Sequence, residues 1–100
     1  MNAAASRPRV EDRHFEDFVP GLVSEFGPIA IDEADVVAYA RRYDPQPIHV
    51  DRDAAAAGPF GGLIASGWHT VSLVMRILVE NYLARGAALA SPGVDELRWL

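Results

Sequence analysis

The spacing of apolar residues changes along this chain, and each change predicts an element. Between His14 and Gly27, Phe15, Phe18, Val19, Leu22, Val23 and Phe26 mix with the turn residues Pro20 and Gly21. This predicts an extended, partly buried segment with a strand near residues 22–26. Ile29-Ala30-Ile31 reads as a second short strand. The period then becomes helical: Val36, Tyr39, Ala40 and Tyr43 fall on one face at three- and four-residue spacing. Asp32 fits the N-cap, with Glu33 and Asp35 in the first turn, and Asp44-Pro45 ends a helix over residues 33–43.

Asp51 caps a short alanine-rich helix that runs to Ala57, and Gly58-Pro59 stops it. The longest helical pattern covers residues 67–85, with Gly86 as its C′ residue. Val71, Val74, Met75, Ile77, Leu78, Tyr82 and Leu83 occupy most of its circumference, and Ser72, Arg76 and Glu80 form one narrow polar stripe. A helix apolar over so much of its surface is buried on several sides. A curved sheet is the economical wrapper for it. After the turn Ser91-Pro92-Gly93, residues 94–100 read as another strand, with Val94, Glu96, Arg98 and Leu100 alternating with Asp95, Leu97 and Trp99. The strand candidates before it are too few to enclose the helix. The expectation is therefore a fragment, or a layer supplied by a partner.

Composition narrows the function classes. The chain has 100 residues, half of them apolar, and no cysteine. It is globular and has neither disulfides nor thiolate metal sites. The net charge is −5, with nine scattered Lys and Arg residues, which argues against a nucleic-acid footprint. No apolar run approaches the roughly 18 residues of a membrane span, and the N-terminus has no secretory h-region. A soluble cytoplasmic protein is expected. Residues 1–19 read as an N-terminal leader, partly disordered, and residues 20–100 as one domain incomplete at its C-terminus.

Two stretches carry candidate chemistry. Asp44-Pro45-Gln46-Pro47-Ile48-His49 sets a carboxylate and an imidazole five positions apart, on backbone stiffened by two prolines. The expected form is a pre-shaped loop that holds an acid and a base over a substrate. Pro59-Phe60-Gly61-Gly62-Leu63-Ile64-Ala65-Ser66-Gly67-Trp68 then runs from a glycine loop into the long helix. Carboxylate, imidazole and a glycine-started helix N-terminus together suggest chemistry on an acyl carbonyl.

Residues 43–51, followed by Phe60 to His69, resemble the MaoC-like dehydratases, which include the (R)-specific enoyl-CoA hydratases of the hot-dog superfamily. The segment from Ser91 to Leu100 is similar to that family's next strand, and the resemblance covers about residues 20–100. It implies an α+β hot-dog fold, an antiparallel sheet curled around one long helix and truncated here after the helix and the following strand. It implies a homodimer, a catalytic pair formed by Asp44 and His49, and an oxyanion-hole N–H from Gly67. Tyr43, Gln46 and Ser66 depart from the commonest pattern, which has Gly, Asn and His there. These departures leave the pair intact and bear on the substrate.

The implied reaction is reversible hydration of a 2-enoyl thioester, on CoA or a carrier protein, to the 3-hydroxyacyl thioester. It needs no cofactor. Backbone N–H groups at a helix N-terminus would polarise the carbonyl, and glycines such as Gly62 let substrate approach the backbone. The pair would hold one water and return a proton, with no single residue assigned as the base. Gln46 could orient either member. Ser66 is either the N-cap of the long helix or a substrate contact. His49-x-Asp51 lacks a third ligand for a metal, so none is expected, and Asp51 fits the cap better. His14 and His69 have no partner in the motifs. Trp68, Met75 and Tyr82 read as core, dimer interface or tunnel lining. Two alternatives stay open: a hot-dog acyl-CoA thioesterase, which would not need His49, and a non-catalytic acyl-binding hot-dog subunit.

Overall fold

The computed structural model describes residues 12–83 and 90–100. It divides into two compact units, Pro28–Val74 and a second in which Met75–Leu100 is joined by the segment ending at Gly27. Helices α1 (Glu33–Tyr43), α2 (Pro47–Val50), α3 (Arg52–Ala57) and α4 (Gly67–Asn81) follow in chain order, after a 3₁₀ turn at Phe15–Asp17.

The first helix forms as its sequence predicts. The Asp32 carboxylate accepts the Ala34 amide at 2.9 Å, which satisfies one of the donors that a helix start leaves open. Acidic residues crowd the first turn and Arg41 and Arg42 the last, each sign at the favourable end of the dipole. Val36 and Ala40, on the predicted apolar face, are buried. The amide of Asp44 closes the helix on the Ala40 carbonyl at 2.8 Å.

Helix α3 is likewise capped by Asp51, whose carboxylate accepts the amides of Asp53 and Ala54, both at 3.1 Å. Ala55 is buried beneath it. An ion pair from Arg52 to Glu33 joins the start of α3 to the start of α1. Between α3 and α4 the chain turns through Gly61, whose φ of +70° is a left-handed conformation that favours glycine.

Helix α4 starts at Gly67 as expected but ends at Asn81, short of Arg85. Residues 85 and 86, the predicted end and C′ glycine, lie outside the described residues. The amides of Tyr82 and Leu83 converge on the Leu78 carbonyl, both at 2.8 Å, which ends the regular ladder. The Arg13 guanidinium donates to the carbonyls of Asn81 (3.1 Å) and Tyr82 (2.9 Å), and the Phe18 ring meets the Tyr82 ring edge-on at 5.2 Å. A basic side chain on orphan C-terminal carbonyls is a good helix stop. The described part of the expected leader, residues 12–19, thus holds a 3₁₀ turn and contacts the end of α4. Residues 1–11 lie outside the described residues.

The strand expectations need correction. Residues 22–26, 29–31 and 94–100 are not strands, and no strand occurs among the described residues. Leu22, Val23, Ile29, Ile31, Val94 and Trp99 are exposed. Alternation says which side chains would share a sheet face. It supplies no partner for the backbone N–H and C=O groups, and a strand exists only as a paired one. Within this chain the long helix buries little: among the described residues His69 is its one buried residue, while Trp68, Val74, Met75 and Val79 are exposed. The described core is accordingly small, made of Val36, Ala40 and Ala55 with the buried polar residues His49, Ser66 and His69. Among the described residues no helix is long and apolar enough to cross a membrane.

Candidate active site

The end of α1, the turn of α2 and the start of α4 bring four of the six candidate residues together within Pro28–Val74. Asp44 is the C-cap of α1, in a non-helical backbone conformation. Its carbonyl accepts the Gln46 amide at 2.8 Å, and the Gln46 carbonyl accepts the His49 amide at 2.9 Å. His49 does not lie on a loop, as the two prolines suggested, but on the helical turn α2. Pro47 occupies its first turn, where a missing N–H costs nothing and the fixed φ favours a helix start.

The imidazole is oriented from both ends. Its Nδ1 lies 2.7 Å from the Ile64 carbonyl oxygen, which can only accept, so Nδ1 carries the proton. Its Nε2 faces Asp44 Oδ2 at 3.3 Å. The neutral ring therefore presents a lone pair, and the charged ring a second N–H, beside the carboxylate. The glycine loop is clamped to α2 in both directions, because the Ile64 amide also donates to the Ile48 carbonyl at 3.1 Å. His49 is 5% exposed, so this geometry is held by the surrounding chain.

Asp44 is held as tightly. Gln46 Nε2 donates to Oδ1 at 2.7 Å, and the Ser66 hydroxyl donates to Oδ2 at 2.7 Å. The Gln46 bond, then the Ser66 bond, keep the carboxyl below its ordinary pKa against the opposing effect of burial, and the nearby imidazole adds to them. Ser66 is completely buried, and its carbonyl accepts the Thr70 amide at 3.1 Å, the first turn of α4. Its hydroxyl proton goes to Asp44. Of the two expectations for Ser66, cap or substrate contact, neither described this bond.

The glycines divide. Gly67 is the first residue of α4, next to Ser66, where the amides of the opening turn have no intrahelical partner. Gly62 lies in the bend before it, without a positive φ, and a Cβ built there would meet nothing within 4 Å. No hydrogen bond places Gly62 in the Asp44 cluster. A cleft of about 390 Å³ within the same unit is lined by Ile31, Glu33, Val36, Leu63 and Ala65, none of them a member of the Asp44 cluster. Asp51, once weighed as a metal ligand beside His49, is committed to capping α3.

One residue at the site was missed in sequence. His69 is 7% exposed, and its ring stacks on Tyr39 of α1 at 4.7 Å between centroids and 10° between planes. Helical spacing held the signal. His69 is three positions after Ser66, and Tyr39 lies on the apolar stripe of α1.

The MaoC like domain family matches residues 17–99, and the chain belongs to that family. A MaoC-like dehydratase from Rhodospirillum rubrum, solved as a crystal structure, is 49% identical with a TM-score of 0.50, over 51% of this chain and 35% of that one. The 3-hydroxyacyl-thioester dehydratase Z of Mycobacterium tuberculosis (strain H37Rv) is 44% identical over 57 residues, 56% of this chain and 38% of that protein. The 3-hydroxybutyryl-CoA dehydratase of Methylorubrum extorquens is 36% identical over 85 residues, 84% of this chain and 54% of that protein. The uncharacterized protein YdeM of Bacillus subtilis is 32% identical over 66 residues, 66% of this chain and 47% of that protein. The chain spans about half or less of the length of these relatives. Membership of the family supports the hot-dog fold expected from sequence, while the sheet itself is not among the described residues.

Proposed function

We propose that this chain carries the hydration site of an acyl-thioester hydratase/dehydratase. It would add water to a 2-enoyl chain on CoA or a carrier protein, or remove it from the 3-hydroxyacyl form. The observation that carries this reading is the Asp44–His49 pair, 3.3 Å apart and held by Ile64, Gln46 and Ser66. The dehydratase names of two relatives support it.

The chemistry follows from the two groups. A water held between Asp44 Oδ2 and His49 Nε2 attacks the β-carbon as its proton passes to the pair. The same pair delivers a proton to the α-carbon, so one water is added across the double bond. The tautomer leaves Nε2 free to take that proton while Asp44 stays ionised beside the resulting imidazolium. Such acid–base help is worth about 10²- to 10⁴-fold. The thioester oxygen gains enolate character during attack, and the Gly67 amide is the donor proposed for it. One such donor contributes about 2.7–4 kcal/mol in the transition state. The apolar residues Ile31, Val36, Leu63 and Ala65 around the cleft favour an acyl chain there. Exposed Met75 and Val79 on α4 favour a homodimer, which sedimentation equilibrium would check.

The test is loss of the enone absorbance of crotonyl-CoA on addition of the purified protein. Asp44→Asn and His49→Ala should each lower the hydration rate by about 10²-fold or more with the helical circular dichroism unchanged. Thiol release without hydration would assign a thioesterase instead. Binding of acyl-CoA with neither reaction would assign a non-catalytic subunit.

A further inference from the structure

The joint between α1 and α4 holds two contacts, and the proposed chemistry uses only one. Ser66, at the start of α4, donates to Asp44 at the end of α1. That hydrogen bond fixes one point between the end of α1 and the start of α4. Three residues later in α4, the His69 ring lies flat on Tyr39. Tyr39 in turn meets the Tyr43 ring at 5.2 Å, and Tyr43 is the residue before Asp44. The two contacts together close a frame: Ser66 just before α4 and His69 in its first turn on one side, Tyr39 in α1 and its C-cap Asp44 on the other.

His69 is a costly choice for mere filling. Its Nδ1 is buried with no hydrogen-bond partner among the described residues, which lowers stability at that position. The use of the residue is then in its ring face, which is held nearly parallel to the Tyr39 ring. Flat stacking narrows the ring separation and tilt more than aliphatic contacts would.

We propose that His69 is a positioning residue: by stacking on Tyr39 it sets where α1 delivers Asp44 relative to Ser66 and His49. The inference rests on the hydratase reading above for its kinetic consequence, but its geometric consequence can be measured without activity. Losing the stack lets Asp44 drift from the Ser66 hydroxyl and the His49 ring, and displacement of about 1 Å can cost up to roughly a hundredfold in rate.

The experiment compares His69→Ala, which removes the stack, with His69→Phe, which keeps a flat ring and has no unpaired nitrogen. Crotonyl-CoA hydration gives kcat and KM, and carbonyl-detected NMR follows the Asp44 carboxyl through its titration. His69→Ala should lower kcat about ten- to a hundredfold with KM little changed. In the same variant the Asp44 titration should move up towards an ordinary carboxylate. His69→Phe should leave both near the parent. Tyr39→Leu, which removes the stack from the other helix, should reproduce the alanine result and serves if His69→Ala does not fold. An Asp44 titration unmoved in His69→Ala or Tyr39→Leu would overturn the proposal, as would equal damage from Phe and Ala. If the parent shows no hydration the hydratase reading fails, and the NMR titration still decides the role of His69.

Discussion

Residues 32–69 and residues 94–100 carry equally legible patterns, yet only the first stretch holds regular structure. In the first, the signals find their hydrogen-bond partners within the stretch itself. Asp32 and Asp51 reach amides two or three residues on, and Asp44 accepts hydrogen bonds from residues two and twenty-two positions away. In the second, Val94, Leu97, Trp99 and Leu100 are interspersed with polar residues and are all exposed. A helix closes its hydrogen bonds within one segment, while a strand borrows them from another. The comparison teaches that a pattern is only as informative as the distance to its hydrogen-bond partner.

Breaking the dense region should have the largest effects. After loss of the pair and of the His69 stack, Ser66→Ala is expected to cost most, about tenfold in kcat, the worth of one hydrogen bond to a charged group. It should also change the pH profile. Asp44 titrates below its ordinary value in the folded chain, so its contribution to stability is present above that value and is lost as pH falls through the lowered one. Without the Ser66 donor the folded pKa rises towards ordinary, and the acid limb of kcat should move to higher pH. Kinetics across an acid series measure both.

The two adjacent glycines make a finer contrast. Gly61→Ala should destabilise by about 1–2 kcal/mol, because alanine at φ +70° crowds its own carbonyl. Gly62→Ala should leave the denaturant midpoint in place, since a Cβ there meets nothing. It should raise KM if a substrate lies against that backbone. Smaller still, Asp51→Ala should cost about 1 kcal/mol through the lost cap of α3. At the end of the scale, Val94→Ser should change stability by less than about 0.5 kcal/mol, because an exposed side chain loses little. A loss of several times that would mean residues 94–100 are packed after all, and would erase the contrast between the regions.

The candidate site was legible to an unequal degree. Asp44 and His49 stand out because a carboxylate, an imidazole and two prolines within six residues are unusual, and the glycine loop into an apolar helix is a second signal. Their distance was not legible, because it depends on α2 being helical, and the two prolines read more naturally as a loop. Gln46 was named as an orienting residue, and its bond to Oδ1 fits that reading. Ser66 was named for other reasons than the one found. Its link to Asp44 spans twenty-two residues, and no local rule predicts which acceptor a helix-start hydroxyl will choose. His69 went without a role because a histidine on an apolar helix has many possible neighbours.

By itself the sequence determined the helix starts, since caps, dipole-matched charges and glycine stops act within a turn of where they are written. It also determined the chemistry available, a carboxylate, an imidazole and free amides at a helix start, and through its motifs the family. Tertiary structure alone decided the His49 tautomer, through the Ile64 carbonyl, and the low Asp44 titration, through Gln46 and Ser66. It alone joined Tyr39 to His69. Proton placement and charge depend on distances of about 3 Å between groups far apart in the chain, and those distances exist only once the helices have packed.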